Sequence, residues 1–110
     1  MKSVTSLFEN SEIYLNPKLT LSEVAQSLDT SPRILSQVVN ENKAMNFSEF
    51  VNYYRIEKAK ELLISPVGKN EKIVSIAYDS GFGNITSFNL AFKSLTGLTP
   101  SKYRVLHSSF

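Results

Sequence analysis

The longest helical pattern in this sequence is FSEFVNYYRIEKAKELLI, which runs from Phe47 to Ile64. Asn46 and Glu49 form a variant of the capping box at its start, and Pro66 prevents easy continuation beyond its end. Its apolar residues recur at helical spacing and predict one buried stripe, made of Phe47, Phe50, Val51, Tyr54, Ala59, Leu62 and Leu63. We therefore expect one long central helix, and the segments on its two sides decide what it joins.

The segments that flank this helix resemble each other. Each contains a short helix with an apolar stripe, a tight turn, and a second helix that begins at a capping residue. The two capping residues, Ser31 and Asn84, lie 53 residues apart, and the same offset relates Leu35 to Phe88. A short helix, a turn and a capped second helix form a helix-turn-helix. A single such pattern is a weak signal, because many small helical domains contain a similar pair of helices. Two copies at a fixed offset are a much more specific indication of a helix-turn-helix protein.

The whole chain is predicted to be all-α, with about seven helices, since no segment alternates apolar and polar residues as a half-buried strand does. We expect one domain of 110 residues. Its parts would be a first helix-turn-helix unit at 4–46, a linker helix at 47–64 and a second unit at 72–106.

Three local features follow from the pattern. The opening helix should continue to a break near Asn16 and Pro17, and Thr20 should cap the next helix. Gly81 and Gly97 should end helices in the left-handed conformation that glycine tolerates best. The last long helix should bury a stripe made of Phe88, Ala91, Phe92 and Leu95.

The composition argues against several classes of protein. The chain is 42% hydrophobic and 20% charged, which is ordinary for a globular protein. Its apolar runs are too short to span a membrane, and its N-terminus lacks the pattern of a secretory signal. It has no cysteine, and its one histidine is His107. We expect no metal, no cofactor, no enzymatic activity and a cytoplasmic location.

The charge and the length of the linker helix fit an elongated anionic partner. The net charge is +2, and residues 66–110 carry five basic and two acidic side chains. A helix of 18 residues is about 27 Å long, and successive major grooves on one face of a DNA duplex lie about 34 Å apart. A rigid spacer of this length could place two reading helices in neighbouring grooves.

The second unit also carries a set of motifs. The stretch SGFGNITSFNLAFKSLTGLTPSKYR, residues 80–104, contains a Gly-Phe turn, a Phe-x-x-x-Phe-Lys pair, a Gly-x-Thr-Pro link and a terminal Tyr-Arg. These motifs resemble the C-terminal signature of the arabinose-regulator (AraC) family of transcription factors. Residues 21–25 and 50–63 resemble the first unit and the linker helix of that family. The resemblance covers about residues 4–106.

The resemblance implies a bacterial transcription regulator, usually an activator, that binds double-stranded promoter DNA and also touches RNA polymerase. Family members commonly carry a sensory region before this domain. The chain is therefore expected to be a DNA-binding fragment, or a regulator reduced to this domain. Two residues depart from the family: Leu90 stands where Arg is common, and Ile85 stands where a polar residue is common. The second unit should thus read few bases by hydrogen bonds, although both side chains suit thymine methyl groups.

The candidate base contacts lie on the second helix of each unit, whose N-terminal part enters the major groove. In the first unit they are Arg33, Ser36, Gln37 and Asn40, and in the second unit Ile85, Thr86, Asn89 and Leu90. Arg pairs with guanine, and Gln or Asn pairs with adenine. The alternative is a solvated helix face with no partner, which is what polar residues at such positions usually form.

Candidate phosphate contacts come from helix N-termini and nearby basic side chains. They are Thr20, Lys43, Lys72, Asn84, Lys93, Thr99, Ser101, Lys102 and Arg104. Lys93 has a second possible role, which is to cover the core with its stem. Lys102 and Arg104 could instead pair with acidic groups of the fold.

A rival interpretation is a helical protein-interaction module that does not bind DNA on its own. Salt dependence separates the two, because the affinity of a protein that neutralises several phosphates falls steeply as salt rises.

Overall fold

The computed structural model describes residues 2–66 and 70–107, and within these ranges the chain is helical with no β-strand. The prediction of an all-α fold with about seven helices is confirmed. The α-helices are α1 (Lys2–Asn10), α2 (Leu21–Ser27), α3 (Pro32–Lys43), α4 (Phe47–Ile64), α5 (Ile73–Asp79), α6 (Ile85–Thr96) and α7 (Pro100–His107).

Capping residues define where the main helices begin. Asn46 accepts a hydrogen bond from the Glu49 backbone N–H at 2.8 Å, and its own N–H donates to the Glu49 carboxylate at 2.9 Å. Thr20 and Glu23 form the same reciprocal box at the start of α2. These caps satisfy N–H groups that a helix end leaves without an intrahelical partner. The predicted start of α2 after Thr20 and the predicted range of α4 are therefore confirmed.

The opening helix is shorter than predicted. Helix α1 ends at Asn10, and a separate 3-10 turn, Ile13–Leu15, follows before the chain reaches Pro17. The Ser11 hydroxyl donates to the Leu7 carbonyl at 2.7 Å and so satisfies an acceptor at the helix end. The prediction of one helix up to Asn16 was wrong because the apolar spacing continues through the 3-10 turn.

Helix α4 contributes to two separate hydrophobic cores. The first core contains Val4, Phe8, Val24, Ala25, Leu35, Val39, Phe47, Phe50 and Val51. The second contains Ile56, Ala59, Leu63, Ile76, Ala77, Phe82, Phe88 and Phe92. Nine residues rotate a helix by about two and a half turns, so Phe47 and Ile56 point to opposite sides. The single stripe predicted for α4 is therefore two stripes, and Ile56 is the buried residue that the pattern missed.

One detail of the second core differs from expectation. Phe88 and Phe92 are fully buried, as predicted, but Leu95 is 47% exposed. The buried face of α6 ends one turn earlier than the spacing suggested. Tyr103 of α7 packs against Phe92 there, with ring centroids 5.4 Å apart. An aromatic ring from another helix thus completes this end of the second core.

The two units touch directly at Gly81. This residue has a φ of +101°, and a Cβ there would collide with the Tyr14 carbonyl oxygen and lie 2.9 Å from the Leu15 Cα. The turn of the second unit is therefore seated against the 3-10 turn of the first. Only glycine permits both the backbone conformation and this close approach.

Gly97 provides a matched control for that contact, because it also has a positive φ, +78°, but has no atom within 4 Å of its Cβ position. We expect Gly97→Ala to lower the free energy of unfolding by about 1–2 kcal/mol through backbone strain alone. Gly81→Ala should add the cost of overpacking, about 1–3 kcal/mol more. Urea denaturation followed by circular dichroism measures both, and equal losses would contradict the seating of the two turns.

Candidate nucleic-acid interface

Helix α3 presents one polar face to solvent and buries the other. Ser31 caps it by accepting from the Ile34 N–H at 3.2 Å, and Pro32 occupies its first position. Leu35 and Val39 are buried on the inner face. The four predicted base contacts of this unit lie on the outer face. Three of them, Arg33, Gln37 and Asn40, are exposed, and Ser36 is half-buried.

Gln37 is already engaged with a neighbouring side chain. Its Nε2 donates to the Glu41 carboxylate at 3.0 Å, one turn further along α3. Bidentate pairing with adenine needs both the amide oxygen and the amide nitrogen. Gln37 would therefore have to leave Glu41 to make that pair, whereas Arg33 has no such competing contact within its helix in the described hydrogen bonds.

Helix α6 presents a more apolar face. Asn84 caps it by accepting from the Ser87 N–H at 2.8 Å. Thr86 and Asn89 are exposed, and Leu90 is 69% exposed. Ile85 is only half-buried and packs against the second core, so part of its surface belongs to the fold. The exposed members of the predicted base-contact set on this helix are therefore one hydroxyl, one amide and one large apolar group.

A groove of about 700 Å³ lies between the two units. It brings together residues that are distant in sequence, namely Thr20, Ser36, Ser48, Asn52, Asn84 and Ser87. These side chains are polar and uncharged. Of the predicted site residues, the groove therefore unites Thr20, Ser36 and Asn84.

The predicted phosphate-binding caps use their side chains within their own helices. The Thr20 hydroxyl donates to the Glu23 carboxylate at 2.9 Å, and Thr99 accepts from the Lys102 N–H at 3.2 Å. Asn84 accepts from Ser87 in the same way. What these helix starts can offer a phosphate is therefore backbone N–H. At α2 the Glu23 carboxylate lies beside that position and would oppose an anion.

The remaining predicted phosphate contacts differ in their exposure and in their surroundings. Lys43, Lys72, Lys93, Ser101 and Lys102 are exposed. Arg104 is half-buried, and its Nη2 donates to the Glu71 carbonyl at 2.7 Å, which ties α7 to the segment before α5. Lys43 lies at the C-terminal end of α3 and lines a different pocket, beside Tyr53 and Tyr54.

The residue that sequence reasoning missed is Arg55, on the face of α4 that lines the groove. Its Nε donates to the Tyr14 carbonyl at 2.7 Å, and its Nη2 donates to the Asn16 carbonyl at 2.9 Å. Its guanidinium also lies 5.7 Å from the centroid of the Phe82 ring. Burial lowers the pKa of Arg55 from its ordinary value. One side chain therefore joins the turn of the first unit, the linker helix and the turn of the second unit.

Nothing in the described ranges suggests a metal centre or a membrane span. Among residues 2–66 and 70–107, no three His, Cys, Asp or Glu side chains gather as ligands of a metal ion would. The same ranges contain no helix with both the length and the apolar character that a bilayer crossing requires.

Known protein families and structures share this arrangement of two helix-turn-helix units. The model of an AraC-type family, described as a helix-turn-helix domain, matches residues 24–105. The chain belongs to the AraC-type helix-turn-helix family of DNA-binding transcription regulators. The family resemblance inferred from the motifs at residues 80–104 is thus confirmed.

Solved AraC-type structures share the fold. The C-terminal domain of the two-component response regulator yesN from Fusobacterium nucleatum has 31% sequence identity and a TM-score of 0.78, with 94% of this chain and 95% of that chain covered. The C-terminal domain of AraT, a response regulator from Geobacillus stearothermophilus, has 33% identity and a TM-score of 0.75, covering 86% and 76%. An AraC-type regulator from Chromobacterium violaceum has 20% identity and a TM-score of 0.81, covering 98% and 91%, and supports the fold alone.

Two relatives with curated descriptions are longer proteins. The HTH-type transcriptional regulator YijO of Escherichia coli is 34% identical over 103 residues, which cover 90% of this chain and 35% of YijO. A similar regulator, SAS0078 of Staphylococcus aureus, is 34% identical over 93 residues, which cover 84% of this chain and 12% of that protein. The chain therefore spans only a minor part of these relatives.

Proposed function

We propose that this chain is the DNA-binding part of a bacterial transcription regulator and that α3 and α6 read two successive major grooves of promoter DNA. The observation that carries the proposal is the fixed contact between the two units, made by Arg55 and Gly81. The longest dimension of the molecule is 44 Å. That length accommodates two reading helices about 34 Å apart.

The two units would read DNA by different chemistry. In the first unit, Arg33 would donate two hydrogen bonds to guanine, and Gln37 or Asn40 would pair with adenine, with Ser36 beside the groove. In the second unit, Thr86 and Asn89 supply the polar contacts. Leu90 and the exposed part of Ile85 would meet thymine methyl groups.

Phosphate contacts would fix the register of both units on the duplex. The basic contributors are Lys72, Lys93 and Lys102, all of which are exposed, with Ser101 beside the last of them. Backbone N–H groups at the starts of α6 and α7, next to Asn84 and Thr99, would add anion-binding positions. Lys43 and Arg104 are weaker candidates, since one lies in another pocket and the other binds a backbone carbonyl. Thr20 is limited by the carboxylate of Glu23.

The wider function follows from the family. We propose that the domain acts in the bacterial cytoplasm, as an activator that touches RNA polymerase as well as promoter DNA, within a regulator that carries a further sensory region. Enzymatic activity is not part of this proposal.

Selection from a random duplex library tests the proposal against the rival protein-interaction module. We expect an enriched motif with two half-sites about one helical turn apart. Binding of the selected duplex should weaken with a log–log salt slope of about −3, since three lysines would each release about 0.9 of a counterion. No enrichment, together with little salt dependence, would reject DNA binding and favour the protein-interaction module.

Single substitutions test which residues contact the bases. Arg33→Ala should weaken binding to the selected duplex by about 1–3 kcal/mol and relax the preference at one base pair. Lys93→Ala is the matched control, because it should weaken all sequences alike and reduce the salt slope by about one. Leu90→Ala should cost less than Arg33→Ala. Fluorescence anisotropy on single-base variants of the duplex measures these effects, and an unchanged preference in Arg33→Ala would reject its assignment.

A further inference from the structure

A second pocket lies on the side of α4 that faces away from the groove. Its volume is about 490 Å³, and α1, the end of α3 and α4 enclose it. Residues two positions apart on a helix differ in direction by about 200°. Tyr53 and Glu57, which line this pocket, therefore point nearly opposite to Arg55, which lines the groove. A ligand here would leave both reading helices accessible.

The walls of this pocket are aromatic and held in place by packing. The Tyr54 ring lies 5.3 Å from Phe50 and 5.2 Å from Phe8, measured between centroids. Tyr53 stands perpendicular to Tyr54 at 5.4 Å. Phe8 and Phe50 are buried in the first core. The Tyr54 ring is thus held in place by the core, which lowers the ordering cost of binding a ligand against it.

Carboxylates stand beside these rings. Glu9 of α1 and Glu57 of α4 both line the pocket. The Glu57 side chain keeps 45% of its surface exposed even though Lys60 contacts it at 3.2 Å. Burial raises the pKa of Tyr54, and the negative charge of Glu9 raises it further, which indicates that Glu9 acts on that ring. Lys43 is the single cation of the lining, and Lys60 balances part of the charge of Glu57 from outside it.

We propose that this pocket binds an organic cation, an ammonium or guanidinium group carried on an apolar stem. Aromatic faces attract cations through the ring quadrupole, most strongly where water is excluded. Charge-assisted hydrogen bonds to Glu9 and Glu57 would hold the head group. The volume lies within the range of small-ligand pockets, which combine apolar walls with a few convergent polar groups.

The cation could be a free amine or a lysine or arginine side chain of another protein, and two probes separate these sources. The free probe is phenethylammonium, and its neutral control of matching shape is 2-phenylethanol. The peptide probe is Gly-Ser-Arg-Ser-Gly. Each is titrated into the full 110-residue chain while amide chemical shifts are followed by NMR.

We expect saturable shifts at Thr5, Glu9, Tyr53 and Glu57 with a cationic probe, and binding of 2-phenylethanol at least about tenfold weaker. Binding of phenethylammonium assigns a free amine. Binding of the arginine peptide alone assigns a protein side chain. Failure of both cations to bind, or equal binding of the neutral alcohol, overturns the proposal.

Variants locate the site. Glu9→Gln and Glu57→Gln keep the shape of the pocket and remove its charge, so each should weaken the cationic probe several-fold. Glu61→Gln removes a carboxylate one turn further along α4 and outside the lining, so it should weaken binding less than Glu57→Gln does. Tyr53→Leu removes an exposed aromatic wall without disturbing the core and should also weaken binding. Equal effects of Glu57→Gln and Glu61→Gln would overturn the proposal, since general surface charge would then explain the binding.

Discussion

The arrangement of the two units depends on the hydrogen bonds that the Arg55 guanidinium donates from the linker helix to the first unit. This guanidinium is removed from much of its solvent, and the carbonyl oxygens of Tyr14 and Asn16 replace the water that it has lost. A half-buried charge without such partners would be costly. The Phe82 ring lies beside it, and Gly81 admits the backbone of the first unit at close range. The polar contact and the steric contact therefore specify the same packing.

Because of this packing, the linker helix fixes the distance between the two units as well as connecting them. Because α4 buries opposite faces in its two halves, the units lie on different sides of one rigid element. A flexible linker would lose conformational entropy whenever both units bound DNA at the same time. A rigid one allows a strongly polar reader, α3, to be combined with a more apolar one, α6. In the proposed binding mode, Leu90 would contribute apolar complementarity, while most of the hydrogen bonds to bases would come from the first unit.

Much of this fold could be predicted from local sequence, because local chemistry sets helix starts. Thr20, Asn46 and Asn84 mark three caps that the structure confirms, and the repeat around them identified the two units. Contacts between distant segments could not be predicted in this way. Arg55 looked like an ordinary charged residue of a linker, since its partners lie 41 and 39 positions away. The packing of Tyr103 of α7 against Phe92 of α6 is likewise a contact between separate helices that local spacing does not reveal.

The most direct test of the fixed spacing is to vary the distance between the two half-sites of a selected duplex, for the wild type and for Arg55→Met. Met keeps an apolar stem beside Phe82 but cannot donate to either carbonyl. The account predicts that the wild type binds best at about 10–10.5 base pairs between half-site centres and loses at least about tenfold in affinity, or 1.4 kcal/mol, when two base pairs are inserted. Arg55→Met should show a flatter dependence on spacing. A wild type that tolerates the insertion, or an Arg55→Met variant with an unchanged spacing profile, would contradict the account.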